Sequence, residues 1–159
     1  MNPIVAVENL TYRYPARGRK AARESLRGIS FEVSAARTFG LLGPNGGGKT
    51  TLFKILSTYF KPTSGKASIF GLDAASQATQ IRPRIGVVFQ NPSLDAKLSV
   101  RENMVHQGHL YGLSGARLFT QIDEMLERYQ LTDRAGDLAG GLSGGLRRRV
   151  ELAKGLLHR

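Results

Sequence analysis

Apolar and polar positions divide the chain into four zones, without internal repeats or a clear linker. From residue 4 to 39 the rhythm is two: Val5 and Val7, then Ile29, Phe31 and Val33, with a basic, polar loop expected from Pro15 to Arg27 between them. Alternation of that period suits a half-buried extended chain, so this zone predicts a small antiparallel β region. Thr38-Phe39-Gly40-Leu41-Leu42 is a short apolar run that reads as a buried strand and reaches a glycine-rich turn. Thr50 to Phe60 then carries Leu52, Phe53, Ile55, Leu56 and Tyr59, so strand, loop and helix is the expected order.

A second buried-strand candidate, Ile85-Gly86-Val87-Val88-Phe89, ends at Gln90 and the breaker sequence Asn91-Pro92. Helical patterns follow. Ser99 with Glu102 three residues later is a capping-box pattern, in which each side chain satisfies an orphan backbone donor at a helix start. Leu118, Ile122, Met125, Leu126 and Tyr129 share one face of a further helix. After the polar stretch Thr132 to Gly141, Ser143 caps a last helix whose apolar stripe is Leu146, Val150, Ala153 and Leu157.

Composition narrows the classes. The 159 residues are 41% hydrophobic, enough for a sizeable core in one domain. With no cysteine there is neither a disulfide framework nor a thiolate metal site, and a reducing compartment is the simplest setting. The start MNPIVAVENL lacks a basic segment followed by a long apolar run, and nowhere do about 18 consecutive apolar residues occur, so the chain is expected neither to enter nor to cross a membrane. Lys and Arg outnumber Asp and Glu by 23 to 12, a formal net charge of +11. Such a surface attracts nucleotides, nucleic acid or an anionic leaflet, and it is equally a solvated face, since the basic residues are spread along the chain without interleaved stacking aromatics.

The glycine-rich turn changes the picture most. Gly43-Pro44-Asn45-Gly46-Gly47-Gly48-Lys49-Thr50 fits G-x-x-x-x-G-K-[ST]. Glycines let backbone N–H groups point inward as a nest and let a phosphate approach without meeting a Cβ. Lys49 would reach the β- and γ-phosphates of a nucleotide, the Thr50 hydroxyl would ligate Mg²⁺, and the following helix would aim its positive end at the anion.

Leu142-Ser143-Gly144-Gly145, followed by Leu146-Arg147-Arg148-Arg149-Val150-Glu151-Leu152-Ala153, stands about 100 positions after Gly43 and resembles the signature motif of ATP-binding cassette (ABC) proteins. Ser143 and the two glycines at a helix start would present hydroxyl, N–H groups and dipole to an anion. The resemblance implies that this anion is the γ-phosphate held by the opposite subunit. It also implies that Gln90 is the Q-loop glutamine, contacting Mg²⁺ and the attacking water, and that Tyr14 stacks on adenine, with Tyr12 a competing candidate. The implied catalytic residues are Lys49 and Gln90, and the implied metal contacts Thr50 and Gln90. The implied nucleotide-binding set is Tyr14, Gly43, Pro44, Asn45, Gly46, Gly47, Gly48, Lys49, Thr50, Thr51, Ser143, Gly144 and Gly145.

By this resemblance the fold class is α/β: a P-loop NTPase of the ABC ATPase type, with an N-terminal antiparallel β region, a helical subdomain carrying the signature motif, and the C-terminal core strands missing. The expected division is 1–98 for the nucleotide-binding core and β region, 99–145 for the helical subdomain and 146–159 for the rest of the signature helix. Pro92 to Asn103 and the signature run look most like bacterial drug-exporter ATPases of the daunorubicin-resistance type. Implied cofactors are ATP and Mg²⁺. Implied partners are a second ATP-binding subunit, with a homodimer expected, and a separate transmembrane permease, at the cytoplasmic face of the plasma membrane. Nucleic acid is not favoured. Other readings are a non-transport ABC protein acting on the ribosome or DNA, and a non-functional gene fragment.

Family members continue into an apolar strand ending in aspartate and glutamate, and later supply a histidine. None of the three is found in these 159 residues, so ATP binding without turnover is expected, in a chain that is marginally stable or aggregation-prone. His158 lies on the signature helix and cannot substitute, while His106 and His109, three apart without a third ligand, read as surface residues.

Overall fold

The computed structural model describes residues 3–16, 18, 21–91 and 93–158. Pro92 of the expected breaker, and Arg17, Arg19 and Lys20 of the expected basic loop, lie outside the described residues. The chain forms two units, Met1–Ile85 and Gly86–Arg159.

In the first unit the two-residue rhythm becomes β1 (Val5–Tyr14) and β2 (Arg23–Val33), antiparallel from Val5↔Val33 to Tyr14↔Arg23. Strand β2 therefore takes in the end of the segment expected as loop. Two further strands, β3 (Ser64–Ile69) and β4 (Leu72–Asp73), complete a sheet in the order β2-β1-β3-β4. They are joined at Phe70 and Gly71, whose φ angles of 55° and 76° are both positive, as the tight two-residue hairpin turn demands. Helix α1 (Lys49–Leu56) has only eight residues, too few to be stable alone. It is held by Leu52 and Ile55, which enter one core with Val7, Leu10 and Leu26 of the strands. Each such buried side chain contributes about 1.5–3 kcal/mol. A short α2 (Ala78–Ile81) adds Ile81 to the same core.

Neither Thr38–Leu42 nor Ile85–Phe89 is a strand, contrary to the apolar pattern. A buried strand needs hydrogen-bonding neighbours for its backbone, and among the described residues no strand lies alongside either run. Both stay irregular and partly in solvent: Phe39 is 49% exposed, Leu42 95% and Phe89 43%. Phe39 finds apolar contact by stacking on Phe31 of β2, ring centroids 5.0 Å apart.

The second unit is helical: α3 (Val100–Leu110), α4 (Gly115–Arg128) and α5 (Gly144–Leu156). Ser99 and Glu102 make the capping box that starts α3. Ser99 N–H donates to Glu102 Oε2 at 2.7 Å and Glu102 N–H to Ser99 Oγ at 3.2 Å. The bond from the Ser99 N–H holds the Glu102 carboxyl below the usual glutamate range, with help from the Ser99 hydroxyl. The faces of the three helices meet in a core that includes Met104, Leu118, Ile122, Leu126, Val150, Ala153 and Leu157. His158 falls just beyond α5, stacked on Tyr111 at 3.9 Å.

Candidate functional site

The glycine-rich loop joins an irregular run to the start of α1 in the first unit. Gly48 occupies the position before the helix with φ 86°, and a Cβ there would meet the Ser25 carbonyl oxygen at 2.5 Å and Leu26 Cδ2 at 2.6 Å. Only glycine fits a site that is both left-handed and walled by backbone. The first helical bond runs from the Leu52 N–H to the Gly48 carbonyl at 2.9 Å, so the N–H groups of Lys49, Thr50 and Thr51 have no acceptor within the helix. The loop closes on itself through the Gly47 N–H to the Pro44 carbonyl at 3.1 Å. Lys49 Nζ donates to the Gly43 and Pro44 carbonyls, each at 2.7 Å. A single ammonium thus sits over a loop whose residues 43–47 are exposed.

These groups fit a magnesium-bound polyphosphate. Free helix N–H donors and the ammonium suit phosphate oxygens, and the exposed Thr50 hydroxyl is a hard oxygen ligand of the kind Mg²⁺ takes. Thr51, the next residue, is buried, and its Oγ1 lies 3.0 Å from the Tyr14 hydroxyl and 2.9 Å from Ser25 Oγ. This trio of hydroxyls ties the end of β1 and the start of β2 to the first turn of α1. Tyr12 lies parallel to Phe60, centroids 5.0 Å apart, which occupies one of its faces. Tyr14 meets both rings edge-on. Burial, with the neighbouring Tyr14, pushes the Tyr12 hydroxyl above its ordinary value.

A cavity of about 610 Å³ opens beside the loop, lined by Gly46 and Gly47 and by Arg23, Ser25, Arg27 and Ile29 of β2. Arg23 Nη2 reaches the Gly46 carbonyl at 3.5 Å. Reading 15–27 as loop hid Arg23 and Ser25; the strand partner Tyr14↔Arg23 is what brings them to the site.

The other candidate residues lie in the second unit. Ser143 caps α5, its Oγ accepting from the Leu146 N–H at 3.4 Å. Gly144 and Gly145 form the exposed first turn, with open space where a Cβ would stand. Gln90 is exposed in an irregular segment whose Phe89 carbonyl accepts from Arg148 Nη1 of α5 at 2.8 Å. No local pattern marked Ser93 as a contact of that helix: its N–H donates to Glu151 Oε1 at 2.5 Å, and Lys154 Nζ donates to its carbonyl at 2.9 Å. Among the described residues no three His, Asp or Glu side chains gather as a metal site, His106 and His109 included, and no helix is long and apolar enough to cross a membrane.

A phosphate loop opening a helix and a serine-capped glycine turn opening another are the marks of an ABC ATPase domain. The family model described as ABC transporter matches residues 26–159, and the chain belongs to that family. It is 38% identical over 142 residues to a daunorubicin resistance ATP-binding protein of Streptomyces coeruleorubidus, covering 89% of this chain and 45% of that protein. It is 40% identical over 133 residues to a Nod factor export ATP-binding protein I of Burkholderia lata, covering 84% of this chain and 44% of that one. The chain thus spans less than half the length of these curated relatives. A dimeric ATP-binding cassette solved in a post-hydrolysis state with ADP and Pi superposes with a TM-score of 0.84 at 27% identity, over 97% of this chain and 69% of that one.

Proposed function

We propose that this chain is the ATP-binding part of an ABC exporter, and that these 159 residues bind Mg²⁺ and ATP without turning ATP over. The observation that carries the reading is the loop from Gly43 to Thr50, with the Lys49 ammonium held over it by two carbonyls and unpaired N–H groups at the start of α1. Lys49 binds the β- and γ-phosphates in place of those carbonyls. The loop amides and Thr51 surround the polyphosphate, and Thr50 with Gln90 orients Mg²⁺, which neutralises phosphate charge when bound. Tyr14 is the adenine platform, supported by the use of one Tyr12 face by Phe60.

Ser143, Gly144 and Gly145 act in trans on the γ-phosphate held by a second subunit. Their exposure at the start of a 13-residue helix supports this role. By role, residues 1–98 carry the groups that hold nucleotide and metal, 99–145 form the helical subdomain and 146–159 the remainder of the signature helix, while the compact units divide at Ile85 and Gly86 and so place the Gln90 segment with the helices. Two copies pair around ATP and act on a separate transmembrane permease from the cytoplasmic membrane face, a reading supported by the relatives named for drug resistance and export.

Equilibrium titration with ATP tests the site. Lys49→Ala removes charge-assisted bonds worth about 1.5–3 kcal/mol, so affinity falls about ten- to a hundredfold. Tyr14→Ala loses a base-stacking contact of about 1–3 kcal/mol. Equal affinity in wild type and Lys49→Ala sinks the assignment, and phosphate release that depends on Lys49 overturns the absence of turnover.

A further inference from the structure

Glu151 and Lys154 are only 4% and 8% exposed, although carboxylates and ammonium groups are costly to bury without partners. They stand three positions apart on α5, and both meet the same residue, Ser93, in the segment that follows Gln90. Every polar group of Ser93 is engaged in the sense its chemistry allows. Its N–H donates to Glu151 Oε1 at 2.5 Å and its hydroxyl to Glu151 Oε2 at 3.1 Å. Its carbonyl accepts from Lys154 Nζ at 2.9 Å, and its Oγ accepts from the same ammonium at 2.6 Å. Burial holds the Lys154 ammonium below its ordinary range, with Glu151 opposing that shift.

Two further attachments lie before Gln90 in sequence. Arg148 donates to the Phe89 carbonyl at 2.8 Å, and Gly86 packs against the Gly155 carbonyl with no space for a side chain. Gln90 therefore sits in a segment without helix or strand that is fastened to α5 on both sides.

We infer that Ser93, Glu151 and Lys154 are a latch that makes the Gln90 segment and the signature helix move as one piece, with the three acting as positioning residues for Gln90. The consequence for ATP rests on the function proposed above. The helix that presents Ser143 to one nucleotide also fixes the backbone from which Gln90 reaches another, so displacement of either is felt at the other.

Backbone ¹⁵N relaxation on the 159-residue chain tests the fastening. Order parameters for residues 87–91, near the rigid value of about 0.85 in wild type, fall toward about 0.6 in Glu151→Ala and Lys154→Ala, which remove the partners of the Ser93 N–H and carbonyl, stay high in Lys154→Arg, and do not change in α3 and α4. Unchanged values at 87–91, or an equal fall throughout α3 and α4, overturn the latch. ATP titration with and without Mg²⁺ tests the positioning. Gln90→Ala and Glu151→Ala both lose about tenfold of the Mg²⁺-dependent gain in affinity while Mg²⁺-free binding is kept. Retention of that gain in Glu151→Ala when Gln90→Ala loses it overturns the positioning role. Retention in both removes Gln90 from the metal and the positioning role with it, and the relaxation result alone then decides the latch. Failure of wild type to bind ATP at all refutes the nucleotide reading by itself.

Discussion

Alanine placed in turn at Gly46, Gly47 and Gly48 should produce three different results from one chemical change. At Gly48 the φ of 86° costs an alanine about 1–2 kcal/mol. Its Cβ also meets the Ser25 carbonyl oxygen at 2.5 Å, a backbone atom of β2 that cannot swing away, and overpacking of that kind adds about 1–3 kcal/mol. The expected loss is about 2–5 kcal/mol, a large part of the roughly 5–15 kcal/mol that stabilises a domain. Gly46 has a similar φ of 83°, but its Cβ would meet only the end of the flexible Arg23 side chain at 3.4 Å, so the conformational part of about 1–2 kcal/mol is all that remains. Gly47 has no positive φ, and its Cβ would stand 3.1 Å from the Pro44 carbonyl oxygen. A small adjustment there is offset by about 0.4–1 kcal/mol from restricting the unfolded chain. Urea denaturation followed by circular dichroism gives the three differences. Gly48→Ala within about 0.5 kcal/mol of wild type, or Gly47→Ala as the most damaging of the three, would refute the reasoning. If Gly48→Ala does not fold, the gap between the other two still tests the conformational argument.

Three further outcomes follow from the second unit. Ser99→Ala removes the cap of α3 and should cost about 1 kcal/mol in urea denaturation. The Glu102 carboxyl titrates lower in the folded chain than its ordinary value of 4.5, so its contribution is complete above that value and is lost as pH falls through the lower folded one. Denaturation between pH 5 and pH 3 should show this decline, and Glu102→Gln should flatten it. Met104, 0% exposed on α3, should lose about 2–5 kcal/mol on substitution by alanine through the cavity left among Leu118, Ile122 and Val150. A loss below about 1 kcal/mol would show that the helices close over the gap.

How legible each feature was depended on the distance over which its physics acts. The capping box of Ser99 and Glu102 and the serine cap at Ser143 are settled within one helical turn, and the sequence carried both. The stripe Leu118, Ile122, Leu126 likewise follows from period alone. The apolar runs at 38–42 and 85–89 looked like strands because composition reports burial, whereas a strand also needs a neighbour, which no local pattern supplies. The β3–β4 hairpin was missed because Phe70-Gly71 is not among the common turn pairs, although Ala67 and Ile69 do alternate inward. Glu151 and Lys154 reach Ser93 across 58 and 61 positions. Their one local sign was a place beside Val150 and Ala153 on the buried side of α5.

The hydroxyl trio of Tyr14, Ser25 and Thr51 bears on how this protein can vary. Tyr14 and Ser25 lie on either side of the connection between β1 and β2, and the ladder pair Tyr14↔Arg23 joins its ends. With both ends pinned to the helix that follows the phosphate loop, the spacing between the proposed base platform and the phosphates is set without reference to the residues in between. Lengthening that connection raises the entropic cost of closing it only slowly, about 0.6 kcal/mol per doubling. A change of length or charge between Pro15 and Ala22 therefore leaves the contacts of Tyr14 and Ser25 with Thr51 in place, and with them the proposed nucleotide site.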